Sequence, residues 1–249
     1  MTAQRPLLPS APLDAAGLNR QHVFDLTDLP DDVRVTLALA PGERQLILIG
    51  HGGRRLWECV TATDMRSEHP IDDYCRQTIA DWFAHEVPGK HYRLLYPGNQ
   101  PIGLQALGRL AGWHHPSPFM VGVDNEWGSW YAYRAVLVAD TDFCPAASVD
   151  RAPKEAPLGD APQEAPLRGG SPCPSCAEQP CRAACPGQAL DGPQFALDRC
   201  IAYRKQADSR CQYTCLARLS CPVAPQHRYD DAQLKHSYAR SLRMIREYY

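Results

Sequence analysis

The stretch Cys173-Pro-Ser-Cys176-Ala-Glu-Gln-Pro-Cys181-Arg-Ala-Ala-Cys185-Pro186 carries four of the chain's 11 cysteines. Its spacing is C-x2-C-x4-C-x3-C-P. A second run follows, with Cys200, then Cys211-x3-Cys215-x5-Cys221-Pro222. Both runs end in Cys-Pro, which suggests a degenerate two-fold repeat. Eight cysteines thus fall within 49 residues, while Cys59, Cys75 and Cys144 lie upstream.

Soft thiolates in short gaps suit iron held with inorganic sulfide. The bacterial ferredoxin run is C-x2-C-x2-C-x3-C-P, whose last Cys serves the other of two [4Fe-4S] cubes. The first run here differs from it by two residues in one gap. Applied to this chain, that rule gives one cluster to Cys173, Cys176, Cys181 and Cys221. The other goes to Cys185, Cys200, Cys211 and Cys215, and no thiol of the eight is left over. One cluster plus unrelated thiols, or structural zinc, are the competing readings. Zinc prefers paired C-x2-C knuckles, and only one is present. Disulfides need an oxidising compartment, and Met1–Gly17 has neither the apolar run nor the cleavage pattern of a signal peptide. The expected location is the cytoplasm.

The chain has 249 residues, 44% hydrophobic and 22% charged, which excludes wholesale disorder. Net charge is −2, so no basic field argues for nucleic acid or an anionic membrane, and no apolar run reaches the ~18 residues of a membrane span. The 23 prolines are about twice the ordinary ~5%. Residues 1–20 are Pro/Ala-rich and read as a flexible terminus. Residues 145–171, with Pro145, Pro153, Pro157, Pro162 and Pro166, read as a linker. The remaining divisions are a domain over 21–144, a cysteine domain over 172–228 and a C-terminal helix over 229–249.

Within 21–144, Gln45–Gly50 reads as a buried strand closed by a turn at His51-Gly52-Gly53. A helix opens at Pro70, with Ile71, Cys75, Ile79, Trp82 and Phe83 on one face. His91–Tyr96 reads as a strand and Pro101–Gly112 as a helix. Phe119–Val123 and Ser129–Ala139 are spaced for an antiparallel hairpin. Leu234, Tyr238, Leu242 and Ile245 mark the last helix. Three turns are rich in aromatic and polar groups: 96–101, 111–118 and 126–134. Each such side chain alone is most simply core or solvated loop; their concentration suits a wall for a flat cofactor.

Leu107-Gly108-Arg109-Leu110-Ala111-Gly112-Trp113, followed by Gly128-Ser129-Trp130, resembles the AG(L)GW…GSW region of the epoxyqueuosine reductases. That family also carries a double [4Fe-4S] segment after this region, with a C-I-S-Y stretch like Cys200-Ile201-Ala202-Tyr203. His69-Pro70-Ile71-Asp72 and Gly128-x-Trp130-x-Ala132-x-Arg134 are similar to the cobalamin-processing protein of the cblC type (DPVD…GGWFAIR). Two positions depart from these patterns. Gly98-Asn99-Gln100-Pro101 has no acid where the reductases carry Asp-Ser-x-Pro. Glu126 stands where the cblC type has Arg.

The resemblance implies an α+β fold: a nitroreductase-like antiparallel sheet with helices, followed by a small bacterial-ferredoxin-like iron–sulfur domain. It implies a cobalamin pocket at Trp113, His114, His115, Ser117, Gly128, Trp130 and Tyr133. Two [4Fe-4S] clusters would feed electrons to cobalt, in an oxidoreductase of the cobalamin reductase or decyanase kind. The alternative is a ferredoxin-type electron carrier, with FMN in place of the corrinoid. Expected partners are a low-potential donor (flavoprotein or ferredoxin) and a corrinoid, with no nucleic acid and no membrane; a homodimer is left open. His51 stands at the pocket's margin, Cys75 is a core residue, and Arg134 faces away from Tyr133 along its strand.

Overall fold

The computed structural model describes residues 4–64, 66–146 and 170–249. Most of the proposed linker, including Pro153, Pro157, Pro162 and Pro166, lies outside these residues. The described residues fall into two packed units. One lies within Met1–Gly112 and Tyr131–Arg168, the other within Trp113–Trp130 and Gly169–Tyr249. The aromatic segment 113–130, expected with the sheet, therefore packs with the cysteine-bearing unit.

The first unit is α+β. In chain order it holds α1 (Ala11–Ala15), β1 (Arg20–Asp25), α2 (Asp31–Thr36), β2 (Gln45–Gly52), α3 (Arg55–Thr61), α4 (Pro70–Glu86), β3 (Tyr92–Tyr96), α5 (Leu104–Leu110) and β4 (Tyr131–Ala139). The sheet is antiparallel with order β1-β2-β4-β3. β2 reads as a continuous apolar run because both faces are covered. Ile47 and Ile49 are fully buried, and so are Leu46 and Leu48 on the opposite face. Ile47, Ile49, Ala135 and Leu137 pack with Ile71, Cys75, Ile79, Trp82 and Phe83, the apolar face of α4. α4 begins at Pro70, where the missing N–H costs nothing, with Asp72 and Asp73 in its positive first turn.

Three expectations need correction. His51 and Gly52 do not turn the chain; they extend β2, and His51 pairs with Ala132 in the ladder. The turn falls at Gly53, at φ +72°. Phe119–Val123 is not a strand, and β4 pairs with β2 and β3 instead. Pro118 and the left-handed backbone at Met120 break the extension, leaving one isolated bridge between His115 and Val123. The third concerns residues 4–20, which are ordered. Leu13 and Leu18 are fully buried in the core, Trp82 Nε1 donates to the Pro9 carbonyl at 2.8 Å, and Arg5 forks onto both Asp25 oxygens at 2.8 and 2.7 Å. A Pro/Ala-rich composition lacks such anchors on average; two leucines and one arginine suffice here.

Gln45 closes the end of the sheet. Its Nε2 donates to Asp25 Oδ1 and to the Phe143 carbonyl, both at 2.9 Å. Its Oε1 accepts from Thr141 Oγ1 at 2.9 Å and from the Phe143 N–H at 2.8 Å. The side chain is fully buried, so every amide site is used where water is absent.

Replacing Gln45 with Met strands buried donors and acceptors. The expected loss is roughly 2–4 kcal/mol, read from urea unfolding. His22 supplies a pH test. Burial lowers its imidazole from 6.5 to about 4. The unfolded chain takes up this proton first, so stability falls as pH drops from about 6.5 toward 4. A His22→Gln variant should show a flatter stability profile across that window.

Candidate metal centre

The second unit is built from short helices: α6 (Pro180–Ala183), α7 (Leu197–Lys205), α8 (Leu216–Leu219) and α9 (Asp231–Tyr248). α6 packs on α8 and α7 on α9. α9 is capped by Asp230, whose side chain accepts the Gln233 N–H at 2.7 Å, and it buries Leu234 and Leu242. α6 and α8 occupy equivalent places in the two cysteine runs. Each is four residues long, and each is followed two residues later by Cys-Pro, at Cys185 and at Cys221.

The thiols act on one another in two groups. Burial pushes Cys173 up; Cys221 and Cys176 add to this, against a hydrogen bond from the Ser171 hydroxyl. Burial also raises Cys181, with contributions from Cys221, Cys173 and Cys176 against the Arg182 backbone N–H. Cys200 is pushed up to about 11 by burial, then by Cys215, Cys185 and Cys211, against the charge of Arg204. Cys211 and Cys215 are raised first by burial, and Cys185 adds to both. These influences run among Cys173, Cys176, Cys181 and Cys221, and among Cys185, Cys200, Cys211 and Cys215, while one packed cluster holds Cys181, Cys221, Cys185 and Cys215. The thiol after each short helix joins the other run's group.

All eight thiols are free. Four neighbouring thiolates repel one another and resist ionising unless a cation takes their charge. Among the described residues, no three His, Cys, Asp or Glu side chains converge on a single-ion site, the arrangement tetrahedral zinc takes. The Thr214 hydroxyl, between Cys211 and Cys215, is buried without a hydrogen-bond partner, which fits a site whose acceptor is a bound group.

An apolar cluster packs against four of the eight cysteines. Phe119, Leu190 and Ala217 pack with Cys181 and Cys221, joined by Val121, Phe195 and Val223 and the half-buried Cys185 and Cys215. Phe119 and Val121 come from the segment expected to form a hairpin. Such a shell lowers the local dielectric and excludes water from the sulfurs.

The residues expected to form a cofactor wall have other work. Trp130 is fully buried beside Tyr229 and Leu234, under the guanidiniums of Arg218 at 4.4 Å and Arg228 at 5.8 Å from its centroid. Trp113, His114 and His115 are also buried, and the His115 backbone pairs with Val123. The Ser117 hydroxyl donates to the Val121 carbonyl at 2.5 Å, closing a local turn. Gly128 sits at φ +59° against the Val223 carbonyl, just past Cys221-Pro222. Tyr133 belongs to the first unit. Its hydroxyl lies against Gly108 of α5, where a Cβ would come within 1.8 Å of it. Arg134 sits at the β2–β4 register shift and donates from Nε to His51 Nδ1 at 2.9 Å. The residues missed by sequence reasoning are Arg204 and Arg218. Their one signal was position, as arginines inside a cysteine run.

A Cβ at Gly128 would meet the Val223 carbonyl oxygen at 2.4 Å, in a backbone conformation that side chains disfavour. Gly128→Ala should cost roughly 2–3 kcal/mol and lower the thermal midpoint of the second unit. A melt followed by the near-ultraviolet signal of the buried tryptophans checks it.

No family model and no curated protein matches the sequence. The structure is similar to solved structures of epoxyqueuosine reductase. These include the enzyme from Streptococcus thermophilus (13% identity, TM-score 0.48, 86% of this chain and 65% of that one). The Bacillus subtilis enzyme matches at 15% identity and TM-score 0.48, over 89% and 66% of the two chains. A selenomethionine-labelled epoxyqueuosine reductase matches at 16% identity and TM-score 0.50, again over 89% and 66%. At this identity the likeness is one of fold, and this chain spans about two thirds of the length of those chains.

Proposed function

We propose that the chain is an iron–sulfur redox protein of the oxidoreductase class. Cys173, Cys176, Cys181 and Cys221 hold one [4Fe-4S] cluster, and Cys185, Cys200, Cys211 and Cys215 hold a second. What supports this reading is that the Cys-Pro thiol of each run, Cys221 or Cys185, acts on thiols of the other run. Such clusters supply single electrons at low potential.

The chain's own residues do the rest. Phe119, Leu190 and Ala217 pack against Cys181 and Cys221. The backbone N–H groups of Arg182, Leu216 and Arg218 donate to the Cys181, Cys211 and Cys215 thiols. α6 and α8, packed together, hold the two Cys-Pro corners. The electron donor in this proposal is a low-potential flavoprotein or ferredoxin, and the sheet unit is nitroreductase-like.

Cobalamin is the acceptor that the resemblance implies, with FMN the alternative. Trp113, His114, His115 and Trp130 are buried, so none presents an open face on which a flat ring stacks. Among the described residues no helix is long and apolar enough to cross a membrane.

Anaerobic reconstitution followed by iron and sulfide counts tests the clusters. About eight irons and eight sulfides per chain are expected, with electron paramagnetic resonance signals of reduced [4Fe-4S] clusters after dithionite. Stoichiometric zinc, or no iron, overturns the reading. Adding cobalamin to the reduced protein tests the acceptor: a Co(I) spectrum formed only with protein present supports it, and an unchanged spectrum removes it while leaving the clusters intact.

A further inference from the structure

α7 and the end of α9 border an open groove of about 530 Å³, lined by Leu197, Asp198, Ile201, Ala202, Lys205 and Tyr249. Its lining is mostly apolar. Leu197 is 52% exposed and Tyr249 is 72% exposed. The last turns of α9 also expose Met244 and Tyr248, at 48% and 66%, four residues apart and so on one side of the helix. Large apolar side chains left exposed together mark a surface that meets a partner. The same helix is basic. It carries Lys235, Arg240, Arg243 and Arg246 against two acids, Asp231 and Glu247. Arg240, Arg243 and Arg246 recur every three residues and are all exposed, while Leu234 and Leu242 are buried. Among the described residues none of Lys205, Arg240, Arg243 and Arg246 forms an ion pair.

The groove stands on the cysteine-bearing unit. One wall is α7, which carries Cys200 directly before Ile201 of the lining. Arg204, on the same helix and 7% exposed, fastens that wall in place. It donates from Nε to the Cys211 carbonyl at 3.1 Å, from Nη1 to Ser241 Oγ at 3.0 Å, and from Nη2 to the Tyr238 carbonyl at 3.1 Å. One buried side chain thus joins α7, α9 and the backbone of a cysteine run. A protein seated in the groove lies against the helix that bears Cys200. Electron transfer between proteins falls steeply with distance, so a short approach to a cysteine run is what a donor needs.

We propose that this groove, with the arginines of α9, is the docking surface for an acidic one-electron carrier protein, one that presents an apolar patch ringed by carboxylates. The electron-transfer role rests on the iron–sulfur reading above. The carrier loses one electron and a cluster gains it; no bond forms or breaks. Residue types favour this occupant. Protein interfaces concentrate aromatic residues, Met and Arg, and all three are exposed on the last turns of α9. Cations beside an apolar groove complement carboxylates around an apolar patch, and opposite charge speeds encounter. A second copy of this chain brings the same cations, which repel. A phosphate backbone needs a track of cations; here Met244, Glu247 and Tyr248 interrupt it, in a chain of net charge −2. A surface of this size suits a carrier that leaves once its electron is delivered.

The test uses the anaerobically reconstituted full chain and two acidic probes, a plant-type [2Fe–2S] ferredoxin and a flavodoxin. Stopped-flow absorbance follows cluster reduction by each reduced carrier, and sedimentation velocity follows association with each oxidised one. Both should weaken as salt rises. Arg243→Glu with Arg246→Glu should slow reduction by roughly tenfold at low salt. Arg243→Lys with Arg246→Lys should keep the original rate, and Leu197→Gln should slow it at every salt concentration. Reduction by dithionite, which needs no docking, should be the same in all variants. No association with either carrier, or rates indifferent to salt and to charge reversal, overturns the proposal. So does self-association lost in Leu197→Gln, which makes the groove an interface between copies, and so does tighter binding of a single-stranded oligonucleotide than of either carrier. Iron and sulfide counts come first: their failure overturns the cluster reading, and sedimentation still decides the docking surface.

Discussion

The second unit depends on a crossed connection. Each cysteine run ends in a four-residue helix and a Cys-Pro corner, and each corner sends its thiol to the group formed by the other run. The two halves have little regular structure beyond these short helices and α7. Proline at 186 and 222 prevents the short helices from continuing and turns the chain at the right residue. The packing of α6 on α8 is the mechanical counterpart of that exchange.

Around this centre the unit recruits chain from far upstream. Segment 113–130 supplies Phe119 and Val121 to the shell at the sulfurs, Ser129 to Arg218, and Trp130 as the aromatic face beneath that guanidinium. Gly128 allows the segment to approach the Val223 carbonyl closely. Trp130, which reads from composition as part of a cofactor wall, is buried beneath the Arg218 guanidinium. An aromatic face attracts a cation by its quadrupole, and it does so equally for a side chain and for a ligand. Residue type alone does not distinguish the two uses.

The sheet unit obeys a simpler constraint. β2 and β4 run antiparallel between two buried faces, so their side chains are apolar at nearly every position. Gln45, His51 and Arg134, polar exceptions among them, are hydrogen-bonded. Gln45 saturates the end of the sheet, and Arg134 reaches His51 where the register shifts. The same end ties down the terminus through Arg5 and Asp25.

The sequence by itself determined what depends on local spacing. The gaps between cysteines and the two Cys-Pro endings marked the eight thiols of the second unit as one functional segment. The apolar run at Gln45–Gly50 marked β2, and the helical recurrence from Pro70 marked α4, since a continuous or a 3.6-residue pattern is written along the chain. Tertiary structure decided everything set by contacts distant in sequence. It ordered residues 4–20 by burying Leu13 and Leu18. It drew 119–123 out of a hairpin and onto the cysteines, and it placed Trp130 in the core. It also buried Arg204 and Arg218. No local pattern encodes these outcomes, because the energy of a buried charge or ring is set by its neighbours in space.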